Sequence, residues 1–258
     1  MKKFLCLFSA LSMVLITSCS SDDSPTDAPS QNLLPQKIVQ TIIENGYLGN
    51  RTYTFTYDGN KLKDITFPND SKAVYTYTGD LITKVESYHF DELESTDYYT
   101  YEAGKLVSKI NASAFKPLQL KTTFVYNVNG TVSANLSQIQ NGQETKLDTN
   151  TLYTFENGNL VSSDYVNLER DKITTVFDDK KSPFTNVAGV QVLVELNNDL
   201  DFYSANNVVK NTKVHYNSSG VVTKSATVTN TNKYNSYNFL TEVLSGDAKN
   251  SLKLEITY

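Results

Sequence analysis

The chain has 258 residues, a formal charge of −5 and 39% hydrophobic residues, with 17 Tyr, 12 Phe and no Trp. No run of Lys and Arg is long enough to follow a phosphate backbone, which sets nucleic acid aside as a partner. With only two Cys and two His, no ligand set has the spacing of a zinc site, and no metal or organic cofactor is indicated.

At the N terminus, Lys2 and Lys3 precede an apolar run from Phe4 to Ile16, too short to remain as a membrane-spanning helix. The following Ile16-Thr17-Ser18-Cys19 resembles a bacterial lipobox. That resemblance implies cleavage before Cys19 and acylation of its thiol, making residues 1–18 a lipoprotein signal peptide. More than one acyl chain on Cys19 would hold the protein stably at a membrane. Ser20 stands where an inner-membrane retention signal has Asp, and Ser20-Ser21-Asp22-Asp23 resembles the acidic export signal of Bacteroidetes surface lipoproteins. The expected address is therefore the outer membrane, facing the cell surface, with the periplasmic face as the alternative. Loss of Lys2 and Lys3 takes the charge from −5 to −7. With Cys6 removed and Cys19 acylated, no thiol remains for a disulfide or a nucleophile. Residues 19–34, the acylated Cys and a Ser-, Asp-, Pro- and Asn-rich stretch, read as a disordered tether.

From residue 35 a hairpin unit recurs: aromatic, any residue, aromatic, a Gly-containing turn, an aliphatic. It reads Tyr53-Thr-Phe55-Thr-Tyr57-Asp-Gly59-Asn-Lys-Leu62, then Tyr75-Thr-Tyr77-Thr-Gly79-Asp-Leu81, then Tyr99-Thr-Tyr101-Glu-Ala-Gly104-Lys-Leu106. Phe124-Val-Tyr126, Tyr153-Thr-Phe155 and Val214-His-Tyr216 continue it. Asn45-Gly46, Asn129-Gly130, Asn141-Gly142 and Asn157-Gly158 predict two-residue turns, because such turns need two residues at positive φ. Period two puts Tyr53, Phe55 and Tyr57 on a buried face and Thr52, Thr54 and Thr56 on a wet one. In the returning strands Leu106 and Ile110 fall on one face, whereas Leu62 and Ile65 do so only across a bulge. The fold predicted is all-β: an antiparallel repeated-hairpin meander of some sixteen to eighteen strands by turn count, curled into a barrel-like or half-open shell over residues 35–258.

One stretch breaks the rhythm. Copies lie 20 to 29 residues apart until Phe177, after which 39 residues separate it from Tyr216. The insertion near 178–207 holds Asp178-Asp179-Lys180-Lys181-Ser182-Pro183-Phe184 and Ser204-Ala205-Asn206-Asn207. A closed sheet this wide encloses more lumen than its own side chains fill, so residues 183–207 are the candidate plug, with room for a short helix.

Two resemblances follow. Tyr57-Asp58-Gly59-Asn60-Lys61-Leu62 is similar to the YD repeats of Rhs-type proteins, which build a β shell, although no toxin module accompanies it. The lipobox, the aromatic-Gly-Leu hairpins, Asp178 to Phe184 and Ser204 to Asn207 together resemble a family of Bacteroidetes surface lipoproteins with a porin-like β fold. That resemblance covers nearly all of residues 35–258. It implies an antiparallel barrel-like domain and brings no catalytic residue with it.

Chemistry is sparse. His215, between Val214 and Tyr216, should point away from both, toward solvent, and His89 sits at a strand end. No nucleophile elbow, zinc-protease helix, P-loop or dinucleotide fingerprint occurs. Asp91, Glu92, Glu94 and Asp97, and Asp199 with Asp201, are clusters to weigh as calcium ligands, but none has EF-hand spacing. Tyr stripes can stack on sugars or peptides, and at this spacing they are more simply core. Leu252, Leu254, Ile256 and Tyr258 alternate as in an outer-membrane barrel, yet Lys, Glu and Thr fill the other strand faces, which favours a soluble domain on a tether. The sequence thus points to a surface lipoprotein anchored at Cys19, a non-enzymatic module that binds a glycan, peptide or protein or serves the envelope structurally. An extracellular hydrolase acting on a polymer is the alternative. Asp178, Asp179, Phe184, Tyr203, Asn206 and Asn207 are the candidate ligand contacts; no catalytic or metal residue is assigned.

Overall fold

The computed structural model describes residues 32–166, 170–193, 204–247 and 249–258. Residues 1–31, with the expected signal peptide, Cys19 and most of the expected tether, and Asp199, Asp201 and Tyr203 of the insertion lie outside the described residues.

The described chain is a meander of sixteen strands: β1 (Lys37–Glu44), β2 (Tyr47–Asp58), β3 (Lys61–Phe67), β4 (Ser71–Thr78), β5 (Leu81–His89), β6 (Glu92–Glu102), β7 (Lys105–Ser113), β8 (Gln119–Tyr126), β9 (Thr131–Gln140), β10 (Gln143–Glu156), β11 (Asn159–Val166), β12 (Arg170–Phe177), β13 (Val208–Tyr216), β14 (Val222–Tyr234), β15 (Leu240–Gly246) and β16 (Ser251–Thr257). Each pairs antiparallel with its neighbours in sequence, and β1 pairs with β16 from Lys37↔Thr257 to Ile43↔Ser251, so the sheet closes into a barrel. Between the half-open and the closed shell that the sequence allowed, this last ladder decides. It satisfies the two edges that a meander leaves exposed.

Alternation sorts the side chains as predicted. Tyr53 and Phe55 are buried on the lumen face, while Thr52, Thr54 and Thr56 are exposed outside. The rings and aliphatics of the inward face, Ile38, Tyr53, Phe55, Ile65, Tyr75, Val85, Tyr99, Phe124, Tyr153 and Leu254 among them, form one core cluster. Complete burial of each such side chain contributes roughly 1.5–3 kcal/mol.

A bulge recurs at the same step of the repeat and reorganises the returning strand. Thr56 faces Asp64 but Tyr57 faces Leu62, so Lys63 is the extra residue and Leu62 and Ile65 share the lumen face. Identical shifts occur at Thr76/Tyr77, Thr100/Tyr101 and Thr154/Phe155. They correct two expectations. Leu106 is inward, facing Tyr101, whereas Ile110 is outward, facing Tyr98; Val107 flips the parity between them, and Lys109 takes the inward place. In the second copy Ile82, not Leu81, faces Tyr77 and is wholly buried.

Turn chemistry follows the same logic. Asn45-Gly46, Asn141-Gly142 and Asn157-Gly158 have both residues at positive φ. Asn129-Gly130 does not: only Gly130 is left-handed there, and β8 and β9 join through residues 127–130, with Asn127 N–H donating to the Thr131 carbonyl.

The two mouths differ. One receives the chain at Asn32 and releases it at Tyr258, and the insertion between β12 and β13 crosses it. Phe184, Val187, Val190 and Leu193 of the insertion are buried, and Phe184 meets Phe55 edge-on at 5.2 Å. This segment contains no helix among the described residues; it is a succession of single turns, Ser182 to Thr185, Phe184 to Val187 and Val190 to Leu193. Ala188 N–H reaches the Asn60 carbonyl, Tyr77 hydroxyl donates to the Ala188 carbonyl, and Asn186 Nδ2 donates to the Leu33 carbonyl. Gly189 passes the β4–β5 turn so closely, at φ +73°, that a Cβ would lie 2.7 Å from the Asp80 carbonyl oxygen. At the other mouth β2, β10 and β14 overrun their neighbours and are exposed on both faces.

The outer face mixes exposed apolar side chains, such as Tyr98, Val125, Leu152 and Leu244, with many charged ones. Lys84 pairs with Glu86 at 3.0 Å, Lys121 with Glu144 at 2.9 Å and Arg170 with Asp164. Glu242 and Glu255 oppose each other in register, and Lys253 bridges them at 3.4 and 2.8 Å. Among the described residues no helix is long and apolar enough to cross a membrane.

Candidate functional site

The insertion begins and ends on the same carboxylate. Asp178 follows β12, and its Oδ1 accepts from the Lys180 N–H, the Asn207 N–H and Asn207 Nδ2 at 2.9, 3.2 and 3.3 Å. Its Oδ2 accepts from the Tyr234 hydroxyl and from Asn232 Nδ2. Asn207 Nδ2 also donates to the Lys180 and Lys181 carbonyls. Beside it Asn206 and Asn159 exchange two bonds, side-chain amide to side-chain carbonyl and N–H to side-chain carbonyl, each 2.9 Å. These groups form a clasp that closes the insertion on β11, β13 and β14. Burial, and then the Asp178 carboxylate, raise the Tyr234 hydroxyl above its ordinary pKa of 10.0.

Of the residues singled out in the sequence, the structure brings Asp178, Asn206 and Asn207 together in this clasp. Phe184 lies apart, sealed against Phe55, and Asp179 is exposed, pairing with Lys180 at 3.2 Å. Tyr203 lies outside the described residues. Asn159, Asn232 and Tyr234 complete the clasp, and no local pattern marks them, because they come from strands 19 to 56 residues away from Asp178. The motif Asp178 to Phe184 and the motif Ser204 to Asn207 are thus the two halves of one fastening, with their hydrogen-bonding groups turned on each other.

Beyond the plugged mouth the lumen wall carries two charged groupings. Asp97 is 2% exposed; Lys109 Nζ lies 3.5 Å from one carboxylate oxygen and Asn111 Nδ2 donates to the other at 2.8 Å. On β12 and β13, Asp171 binds Lys213 at 2.8 Å and His215 Nδ1 at 2.7 Å. The hydrogen bond from Lys213, and then that from His215, hold the Asp171 carboxyl below its ordinary range. His215 does point opposite to Val214, but onto the lumen side and a carboxylate rather than free solvent. Alternation about Ile173 and Ser163 puts Asp171 inward, and register then brings His215 to it.

His89 closes β5 opposite Ser71, with Nδ1 3.1 Å from the serine Oγ, and its ring lies 4.2 Å from that of Phe90. This is a Ser–His pair, and Asp171–His215 is an Asp–His pair. They sit on β5 and β13, eight strands apart around a sixteen-stranded barrel, so they do not assemble into one triad. Asp97 points into the lumen while Asp91 belongs to the β5–β6 turn, so that acidic cluster does not converge. Among the described residues no group of three or more His, Cys, Asp and Glu is placed to hold a metal ion.

No protein-family model and no curated protein matches the chain. Among solved structures it is similar to a porin-like protein from Bacteroides uniformis, at 10% identity and a TM-score of 0.49, over 86% of this chain and 97% of that one.

Proposed function

We propose that the chain is an outer-membrane lipoprotein, held by acylated Cys19 and displayed at the cell surface, whose barrel is a non-enzymatic binding or structural module. The observation that carries the reading is the outer face of the barrel. Lipid-facing strands need an apolar band, whereas Asp64, Lys84, Glu86, Lys121, Asp164, Lys172, Glu242 and Lys253 all occupy outward strand positions here. A Lys or Arg on the lipid face costs about 2–4 kcal/mol at the bilayer midplane, and an Asp or Glu less. Attachment by lipid, not by the wall, is what such a barrel requires, and the lipobox-like Ile16 to Cys19 offers it. The insertion across one mouth argues further against a through-channel. What is left is a cup open at the opposite end, its wall carrying Asp97–Lys109–Asn111 and Asp171–His215–Lys213, which suits a polar ligand such as a glycan or a peptide.

The experiment has two arms. Metabolic labelling with an alkyne fatty acid should mark the chain and fail on Cys19→Ser, and protease added to intact cells should remove the barrel. Glycan and peptide arrays probed with the full chain should then give binding that Lys213→Ala weakens at least tenfold. An unlabelled wild type would defeat the anchor, and array binding indifferent to the lumen charges would defeat the cup.

One observation favours the hydrolase alternative, the Ser71–His89 pair. In it the serine meets Nδ1, and among the described residues no carboxylate binds the ring to orient it. Polymer hydrolysis abolished by Ser71→Ala would establish that reading in place of the first.

A further inference from the structure

The first half of the insertion, Ser182 to Leu193, is fastened at its root and along its length. At the root the clasp holds Asp178, and Ser182 N–H donates to the Ala205 carbonyl at 3.1 Å. Along its length Ala188 N–H donates to the Asn60 carbonyl, and the Tyr77 hydroxyl donates to the Ala188 carbonyl at 3.2 Å. Asn60 is in the β2–β3 turn and Tyr77 is on β4, so both stay in place unless the sheet itself opens. The remaining contact differs. Asn186 Nδ2 donates to the Leu33 carbonyl at 3.1 Å, and Leu33 belongs to no strand. It lies in residues 32–35, the stretch that precedes β1. There Leu34 is half-buried and packs against the core cluster that also holds Phe184, Val187, Val190 and Leu193. Pro35 is buried, and its carbonyl accepts from the Tyr57 hydroxyl at 2.7 Å. Sheet bonding begins only at Gln36, whose N–H donates to the Thr257 carbonyl at 2.7 Å and whose carbonyl accepts from Phe55 N–H at 3.0 Å. Asn32 to Pro35 can therefore leave the mouth without breaking a rung of the barrel.

We infer that residues 32–35 are a strap that latches the plug. Seated, the strap holds Asn186 across the mouth. Drawn off, it releases Ser182 to Leu193 to lift while the barrel stays closed. Burial of Phe184, Val187, Val190 and Leu193 keeps the plug down at rest. The strap sets instead how often the plug lifts, because local opening is governed by the few contacts that must break. One net hydrogen bond changes such an opening about fivefold. In sequence the strap continues directly from residues 19–31, so a pull on that stretch reaches Leu33 before it reaches β1. With the proposed anchor at Cys19, the membrane supplies the pull, and the plug becomes sensitive to tension on the tether. The latch itself needs no acylation.

Hydrogen exchange of the full chain, read by mass spectrometry, tests this. Asn186→Ala removes the plug's half of the latch. It should speed exchange in peptides spanning 182–193 about fivefold, and leave peptides spanning 251–257 of the closing strand unchanged. Leu34→Asp puts a charge on the strap's apolar contact and should give the same result from the other side. Tyr57→Phe deletes only the hydroxyl that holds Pro35, and serves as the strap variant should Leu34→Asp fail to fold. A strap variant combined with Asn186→Ala should exchange no faster than the quicker of its two singles, because both remove one contact. Unchanged exchange at 182–193, an equal rise at 251–257, or multiplied effects in the double variant would overturn the proposal. No arm depends on an acylated Cys19, so the latch and the anchor fail separately.

Discussion

Asp178 holds Asn207 twice with one oxygen, the backbone N–H at 3.2 Å and the side-chain Nδ2 at 3.3 Å, and so pins both ends of the insertion to one point. Pinning removes most of the loop-closure entropy that the intervening segment would otherwise retain. Hydrogen bonds to a charged acceptor contribute about 1.5–3 kcal/mol each when their loss strands a buried partner. Asp178→Ala should therefore lower the stability read from urea unfolding by about 3 kcal/mol. Limited proteolysis should then cut first within 183–207, leaving the hairpins on either side intact. Tyr234→Phe, which deletes one donor, should lose about 1 kcal/mol and leave the cutting pattern unchanged.

The second prediction concerns the buried pair in the lumen wall. Lys109 takes an inward position because of the bulge at Val107, and Asp97 receives it together with Asn111. Removing one partner of a buried pair costs about 3–5 kcal/mol, because a charge is left without compensation. Lys109→Met should be destabilising on that scale. Asp97→Asn combined with Lys109→Met should recover a large part of the loss, as a thermal-melt series of the two single variants and the double would show.

A third expectation comes from the tyrosines at the plugged mouth. Tyr101 hydroxyl donates to the Ile82 carbonyl at 2.7 Å, Tyr126 to Leu106 at 3.1 Å, Tyr258 to Leu240 at 2.7 Å and Tyr57 to Pro35 at 2.7 Å. Burial raises the pKa of each of them, and pushes Tyr77 up to about 12 from 10.0. A group whose folded pKa is raised contributes stability that is complete below its unfolded value and is lost as pH climbs toward its folded one. The barrel should therefore hold to about pH 10 and weaken progressively above it. Phenolate absorbance should then rise together with loss of β circular dichroism. A smooth titration of all tyrosines near 10 with the barrel intact would contradict this.

At the acid end Asp171 reverses the sign. Lys213 and His215 depress its carboxyl, so its contribution is complete above the unfolded value of about 4 and disappears as pH falls through the lower folded one. Melting temperature should drop over that window in the wild type. In Asp171→Asn the drop should be smaller, and differential scanning calorimetry from pH 6 to pH 2 would measure the difference.

Much of the architecture could be read from residue order alone. Aromatics at every second position, as in Tyr53, Phe55 and Tyr57, can share an interior only as strands. The turn pairs such as Asn45-Gly46 can adopt left-handed φ, so hairpins between adjacent strands follow. The bulge between Leu62 and Ile65 was visible as a contradiction in parity. The equivalent one between Leu106 and Ile110 was hidden, because there an unbulged strand also puts two apolar residues on one face.

What residue order could not decide was everything that depends on strands meeting across the barrel. Ile38 and Ile256 carry no local sign that they are partners; closure follows only when the accumulated register of sixteen strands brings β16 back to β1. Asn159, Asn232 and Tyr234 likewise carry no sign in their own neighbourhoods, and the clasp exists because folding brings β11 and β14 to Asp178 at one mouth. Alternation and turn geometry are short-range steric effects, carried in a few consecutive residues. Closure, the plug and the charged groupings of the lumen arise from distances between remote segments, which only the folded chain defines.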